Sequence, residues 1–217
     1  MRVYHLLPAC YALEDIRNSR LKIARLDEVN DPFDLAAAKL QRRDDRVVFE
    51  AYRRKMAEAY GLLCFSRSWR NPVLWSHYAD RHTGICLGFD VPDNFLLTVI
   101  YTETRLVLTR GTALRHGDLN QQVAERLLST KFRDWSYEDE VRIFLRLEER
   151  DRLTGSYFRE FDENIKLMEV IAGHRCVVRK GEIDQAIGHN PAIDVIKARL
   201  AFKSFWVVRN KRGFGRE

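Results

Sequence analysis

The chain has 217 residues, 46% of them hydrophobic and 31% charged, which suits one domain with a substantial core and is short for two. Lys and Arg number 37 against 31 Asp and Glu, and this net charge of +6 favours acidic partners such as nucleic acid, nucleotides or an acidic protein. No apolar run of about 18 residues occurs, and "MRVYHLLPAC" is too short and too polar for a signal peptide, so a membrane span is not expected and a cytoplasmic location is.

In chain order, "RVYHLL" predicts a short strand stopped by Pro8, "YALEDIRNSRL" a helix and "LKIARL" a strand. "DEVNDPFD" is a turn, because Asp31 precedes Pro32 and must leave the helical region. Residues 35–60, rich in Ala, Arg and Lys, predict one long charged helix ended by Gly61. "LLCFS" is a buried strand. "NPVLWSHYAD" is a short helix with Asn71 as its N-cap and Pro72 at its first position, broken at Gly84 before the strand "ICLGFDV". "FLLTVIYT" and "RLVLT" are strands, "GDLNQQVAERLLSTK" is an amphipathic helix starting near Asp118, and "YEDEVRIFLRL" is a strand. Strands at "YFREF", "IKLMEVIAG", "AIDVIKARLAF" and "SFWVVRN", with a helix at "KGEIDQAIG", complete the chain. Strands and helices mix without regular alternation. The expected fold is therefore α+β, one domain over 1–217 with small mixed or antiparallel sheets flanked by helices.

The four cysteines, Cys10, Cys64, Cys86 and Cys176, form no CxxC pair, so they are expected to be reduced, buried small hydrophobes, and no zinc site is expected. His77 and His82 are five apart, a poor fit for a helical metal pair, and no metal is expected there either.

Several residue types nevertheless suit a site. On a strand, Glu138, Glu140 and Arg142 share a face at about 7 Å intervals. Two glutamates on one face repel unless they serve an edge, a cation or a ligand hydroxyl; an exposed Glu140–Arg142 ion pair is the plainer explanation. Tyr4 and His5 lie on opposite faces of the first strand, so one should meet a cleft. Ser66 ends a buried strand where its hydroxyl can support a carboxylate, or simply begin a turn. In "LWSHYADRH", Trp75 adjoins Tyr78 by helical spacing. Asn30 and Asp31 can form an Asx-turn, with Phe33 as a plug into the core. Asp80 suits a helix-end cap or an arginine partner.

Taken in order, "YHLL", "NDPFD", "LLCFSRS", "LWSHYADRHTGICLGFD", "VIYTE" and "STKFRDWSYEDEVRIF" resemble the bacterial family called domain of unknown function 2971, over about residues 1–146. A remoter resemblance is to the ADP-ribosyltransferase fold, whose two small packed sheets grip NAD. That resemblance implies a His or Arg on the first strand, a Ser or Tyr on a middle strand and a Glu on a late one. His5 or Tyr4, Ser66 or Tyr78, and Glu138 with Glu140 occupy that order; the first-strand Arg is missing, which points to the His-type branch. It further implies NAD as substrate, with no metal. Glu140 would stabilise an oxocarbenium-like ribose, Glu138 would activate the acceptor, and His5 would bond a ribose or the nicotinamide amide. Trp75 or Tyr78 would stack on the nicotinamide, with His77 and Tyr78 touching ligand and Asn30 nearby. A phage-defence or toxin setting is the expected context, with a protein or nucleic-acid acceptor. Two other readings stay open: a nucleic-acid-binding or nuclease-like defence module, and a non-catalytic interaction protein. "RNKRGFGRE", with its glycines, is expected to be a loose contact for an acidic partner.

Overall fold

The computed structural model describes residues 1–107 and 121–215. Strand β1 (Arg2–Leu7), helix α1 (Ala9–Arg17) and strand β2 (Arg20–Arg25) open the chain. β3 (Ala38–Lys39), α2 (Arg43–Ala59), β4 (Tyr60–Ser66), α3 (Pro72–Tyr78) and β5 (Ile85–Asp90) follow. Three short strands, β6 (Leu97–Thr98), β7 (Ile100–Thr102) and β8 (Leu106–Val107), precede α4 (Gln121–Leu128), β9 (Thr130–Phe132), a 3-10 turn at Arg133–Glu138 and β10 (Glu140–Arg146). The chain closes with β11 (Tyr157–Glu160), β12 (Lys166–Ala172), α5 (Lys180–Ala186), β13 (Asp194–Leu200) and β14 (Val207–Arg209). The class is α+β with mixed sheets.

Ten strands share one sheet, in the order β11-β2-β4-β1-β5-β12-β13-β14, with β10 on β4 and β6 on β10. All its pairs are antiparallel except β12 with β13, which α5 connects. The central strands are covered on both faces. On one, Val3, Leu87, Phe89 and Val170 pack with Leu13 and Ile16 of α1 and Ile183 of α5. On the other, Leu6, Cys86, Ile171 and Ile196 pack with Leu74 and Trp75 of α3. Double coverage explains why "ICLGF" is an unbroken apolar run rather than an alternating one. Strands from residues 157–209 complete the sheet begun by β1, so both ends of the chain build one layer.

Several expectations change. The long helix over 35–60 is shorter, Arg43–Ala59. The alanine run instead turns inward, with Ala37 and Ala38 buried and Ala38 paired to Leu106, so tertiary pairing overrides helix propensity. The strand at "YEDEVRIFLRL" begins only at Glu140, because Asp139 takes a left-handed φ of 44°. Phe33 does not enter the core; it is 49% exposed beneath the Arg105 guanidinium, while Asp34 turns inward in its place. All four cysteines are free, but only Cys86 and Cys176 are buried; Cys64 is half-buried and Cys10 is exposed on α1. The basic tail folds back: the Asn210 amide donates to the Lys197 carbonyl at 2.7 Å, and Phe214 packs on the main core. Asp118, Arg216 and Glu217 lie outside the described residues. Among the described residues, no helix is long and apolar enough to cross a membrane.

Candidate functional site

The site begins where the sheet forks. β10 runs along one edge of β4, from Glu140 opposite Ser66 to Arg146 opposite Tyr60. The other edge is shared, with β1 meeting β4 at Tyr4–Ser66 and β2 taking over at Leu62. Tyr4, Ser66 and Glu140 thus form one row across three strands, spanning about 10 Å. At the fork the carbonyl of Cys64 has lost its strand partner, and His5 supplies the bond: its Nδ1 lies 2.8 Å from that oxygen. A carbonyl only accepts, so Nδ1 carries the proton and Nε2 keeps a lone pair. Burial lowers the His5 pKa, which holds the ring neutral.

Four further segments close over this row. The turn before β3 brings Asn30 and Asp34, α3 brings Tyr78, β9 brings Lys131, and the 3-10 turn brings Glu138. Together they enclose a cavity of about 110 Å³. Typical small-molecule sites are about 300–1,000 Å³, so this one suits a single ring or sugar.

Its polar wall is a continuous chain of hydrogen bonds that runs from the exposed Asn30 into the buried charges. Asn30 donates to the Tyr78 hydroxyl at 2.6 Å, and that hydroxyl donates to Glu138. Lys131 Nζ bridges the two glutamates, at 2.6 Å from Glu138 and 3.1 Å from Glu140. Arg142 grips Glu140 through Nε and Nη2, at 2.6 and 3.0 Å, and grips Asp34 through both terminal nitrogens, at 2.9 and 3.1 Å. Its Nη1 also donates to the Leu128 carbonyl. Asp34, Glu138, Glu140, Lys131 and Arg142 are each at most 5% exposed.

Three carboxylates therefore face two cations in a dry wall, and their protonation separates. Burial would raise the Glu140 carboxyl, but the Arg142 guanidinium and Lys131 outweigh it and hold the pKa at about 2. Glu138 has only a share of one ammonium, so burial prevails and its pKa rises. Lys131 is raised: burial opposes its charge, but the two glutamates overcome that. Such a divergent pair of carboxyls is a signature of acid–base or charge-stabilising sites.

The structure places the nine candidate residues as follows. Tyr4, His5, Asn30, Ser66, Tyr78, Glu138 and Glu140 line the one cavity. Trp75 does not: it is 0% exposed, and its Nε1 donates to the Trp69 carbonyl at 2.6 Å, so it cannot stack on a ligand. His77 is exposed, does not line the cavity, and bonds the Tyr137 hydroxyl at 2.8 Å; on a short helix, Tyr78 takes the inward face and leaves His77 outside it. The Ser66 hydroxyl donates to the Ser68 carbonyl rather than to a carboxylate. The Asx-turn belongs to Asp31, whose Oδ1 accepts from the Phe33 amide at 2.9 Å, and Asn30 is left free for Tyr78. Glu140 is buried, not an exposed strand start. Sequence reasoning missed Asp34 and Lys131. The only available signals were an aspartate closing "NDPFD" and a lysine between Thr130 and Phe132, and neither predicts burial.

Residues 74–143 match the model of a family described as protein of unknown function (DUF2971). That stretch runs from α3 through Ile143 of β10, so it carries Tyr78, Lys131, Glu138, Glu140 and Arg142, and it bears out the resemblance to this family. No curated protein matches the chain, and neither does any solved structure.

Proposed function

We propose that the protein cleaves the nicotinamide–ribose bond of NAD, passing ADP-ribose to water or to an acceptor. The observation that supports this reading most is the wall just described. An ionised glutamate and a second one of raised proton affinity line a cavity of one-ring size, together with Tyr4 and the neutral His5.

The C1′–N bond of NAD breaks by leaving its electron pair on the pyridine nitrogen, so nicotinamide departs neutral and needs no proton. The ribose is left oxocarbenium-like, with positive charge at C1′. With all groups ionised, Asp34, Glu138 and Glu140 against Lys131 and Arg142 leave one net negative charge beside it. Because Arg142 and Lys131 hold Glu140 in place, that charge is preorganised and costs little reorganisation. The acceptor oxygen then bonds C1′ and gives its proton to Glu138, whose raised pKa makes it a better base than an ordinary carboxylate. Tyr78 orients Glu138 for this step, and Asn30 orients Tyr78.

Nicotinamide release from NAD by the wild type and by Glu138→Gln tests this. The substitution keeps size and a hydrogen-bonding group, and Lys131 retains Glu140 as its counter-ion. The expected outcome is a rate loss on the order of a hundredfold with the protein still folded. Absence of nicotinamide release by the wild type, with water, protein and nucleic-acid acceptors all supplied, would remove the proposal.

A further inference from the structure

A second face, beside α3, carries features that the proposed reaction does not use. The six-residue loop 201–206 between β13 and β14 reads "AFKSFW". It is closed by the Ala201 amide donating to the Trp206 carbonyl at 2.9 Å, and the next amide, Val207, is anchored on the Arg70 carbonyl at 2.8 Å. The backbone is thus held, yet the aromatic side chains point out: Phe202 is 91% exposed, Phe205 96% and Trp206 52%. Three large rings on one short loop are costly to leave in water, and such a cluster marks a binding surface.

These rings border a cavity of about 720 Å³ whose other walls include His82, His174, Arg175 and Lys203. Among the described residues, no carboxylate lines it. Arg175 and Lys203 make no ion pair among the described residues, and the Arg199 guanidinium lies 4.6 Å over the Phe202 ring. At its floor the His82 and His174 rings sit 5.0 Å apart, and the Nδ1 of each is buried without a hydrogen-bond partner. His82 is presented by a left-handed run, Asp80, Arg81 and His82, with φ of 42°, 53° and 74°. Residues without glycine's freedom adopt that run only when the surroundings impose it. Trp75 stacks beneath the His82 ring from the core side.

We infer that this face binds single-stranded nucleic acid, with bases stacked on Phe202, Phe205 and Trp206 and phosphates met by Arg175 and Lys203. Exposed rings interleaved with cations are the requirement of sequence-tolerant single-strand binding, since every base offers a π-face and every linkage a charge. A duplex keeps its bases stacked on each other and offers the rings nothing. A protein partner would favour an apolar centre depleted of charge, whereas here Lys203 lies between the phenylalanines in sequence and an arginine covers one of them. The inference stands apart from the NAD reading, because none of these residues lines the glutamate cavity.

Fluorescence anisotropy with labelled oligo-dT and oligo-U of about 12 nucleotides, and with a duplex of equal length, tests it. The full chain is expected to bind the single strands in the micromolar range and more tightly than the duplex, with affinity falling as salt rises. Phe202→Ala with Phe205→Ala should weaken single-strand binding at least about tenfold. Its melting temperature should not change, since both rings are almost wholly in water. Arg175→Glu with Lys203→Glu should weaken binding and flatten its salt dependence. No binding at tens of micromolar, equal binding of duplex, undiminished binding by the double alanine variant, or a fall in that variant's melting temperature would each overturn the inference.

Discussion

Glu140 shows how burial changes the meaning of a residue. As an exposed strand-start carboxylate it would contribute almost nothing to stability. Four per cent exposed, and held by Arg142 and Lys131, it is instead a member of a closed charge network. Removing one partner from such a network leaves another charge poorly compensated, and Glu140→Gln should cost about 3 kcal/mol in denaturant unfolding at neutral pH. The pH dependence has a definite sign. The folded pKa of about 2 lies below the ordinary glutamate value of 4.5, so the contribution is full above pH 4.5 and is lost as pH falls towards 2. Wild type should therefore lose stability across that window, while Glu140→Gln should lose correspondingly less; parallel curves for the two proteins would contradict the ionised, buried assignment. Glu138 differs from Glu140 in the partner it lacks, an arginine. That difference makes Glu138→Gln the informative variant for chemistry and Glu140→Gln the informative one for stability.

At the scale of elements, the site depends on how α3 is joined to β5. Asn71 caps the helix, its side chain accepting from the Val73 amide, and Pro72 starts it. The helix ends in the left-handed run Asp80–His82, tied by the Gly84 amide to the Ala79 carbonyl at 2.8 Å and by Thr83 to Asp80. Chain reversal within a few residues brings Tyr78 over β1 and sends β5 back beside it. Gly84 is where the return is tightest: a Cβ there would stand 2.4 Å from the Leu7 carbonyl oxygen and 2.8 Å from Ala79 backbone atoms. Both obstacles are backbone, which cannot swing aside as a flexible side chain could. Gly84→Ala should destabilise by about 2 kcal/mol and lower the melting temperature by several degrees. An unchanged melting temperature would mean that the turn adjusts freely, and that Tyr78 is not fixed by it.

For the whole molecule, the ten-stranded sheet ties distant segments together. β5 is flanked by β1, about eighty residues earlier, and by β12, about eighty residues later. Val170 and Ile171 of β12 are wholly buried on opposite faces of the sheet, one in each core cluster. The family match ends at residue 143, but the layer does not. A fragment ending at residue 150 would keep every residue lining the glutamate cavity, yet would expose the apolar edge of β5 that β12 covers. It should fail to give a cooperative thermal transition and should associate in solution. A fragment that melts cooperatively as a monomer would show that residues 157–215 are an addition to the fold rather than part of it.

Local chemistry was legible in the sequence. The apolar runs located the strands, Asn71–Pro72 marked the start of α3, and Tyr4, His5, Ser66, Tyr78, Glu138 and Glu140 were singled out by residue type and order. These features depend on neighbours a few residues away, so a linear reading reaches them. Contacts across the sheet are different. Nothing near Asp34 in the chain announces Arg142, 108 residues on, and nothing near Lys131 says that its ammonium leaves solvent to bridge two glutamates. Trp75 and His77 have the same amphipathic character on paper, and only the docking of α3 on β1 buries the one and exposes the other. Only tertiary structure decides which of several similar polar residues is desolvated, because desolvation is a property of everything packed around a group. Burial raises the proton affinity of both glutamates, and the Arg142 guanidinium, which reaches Glu140 and not Glu138, separates the two.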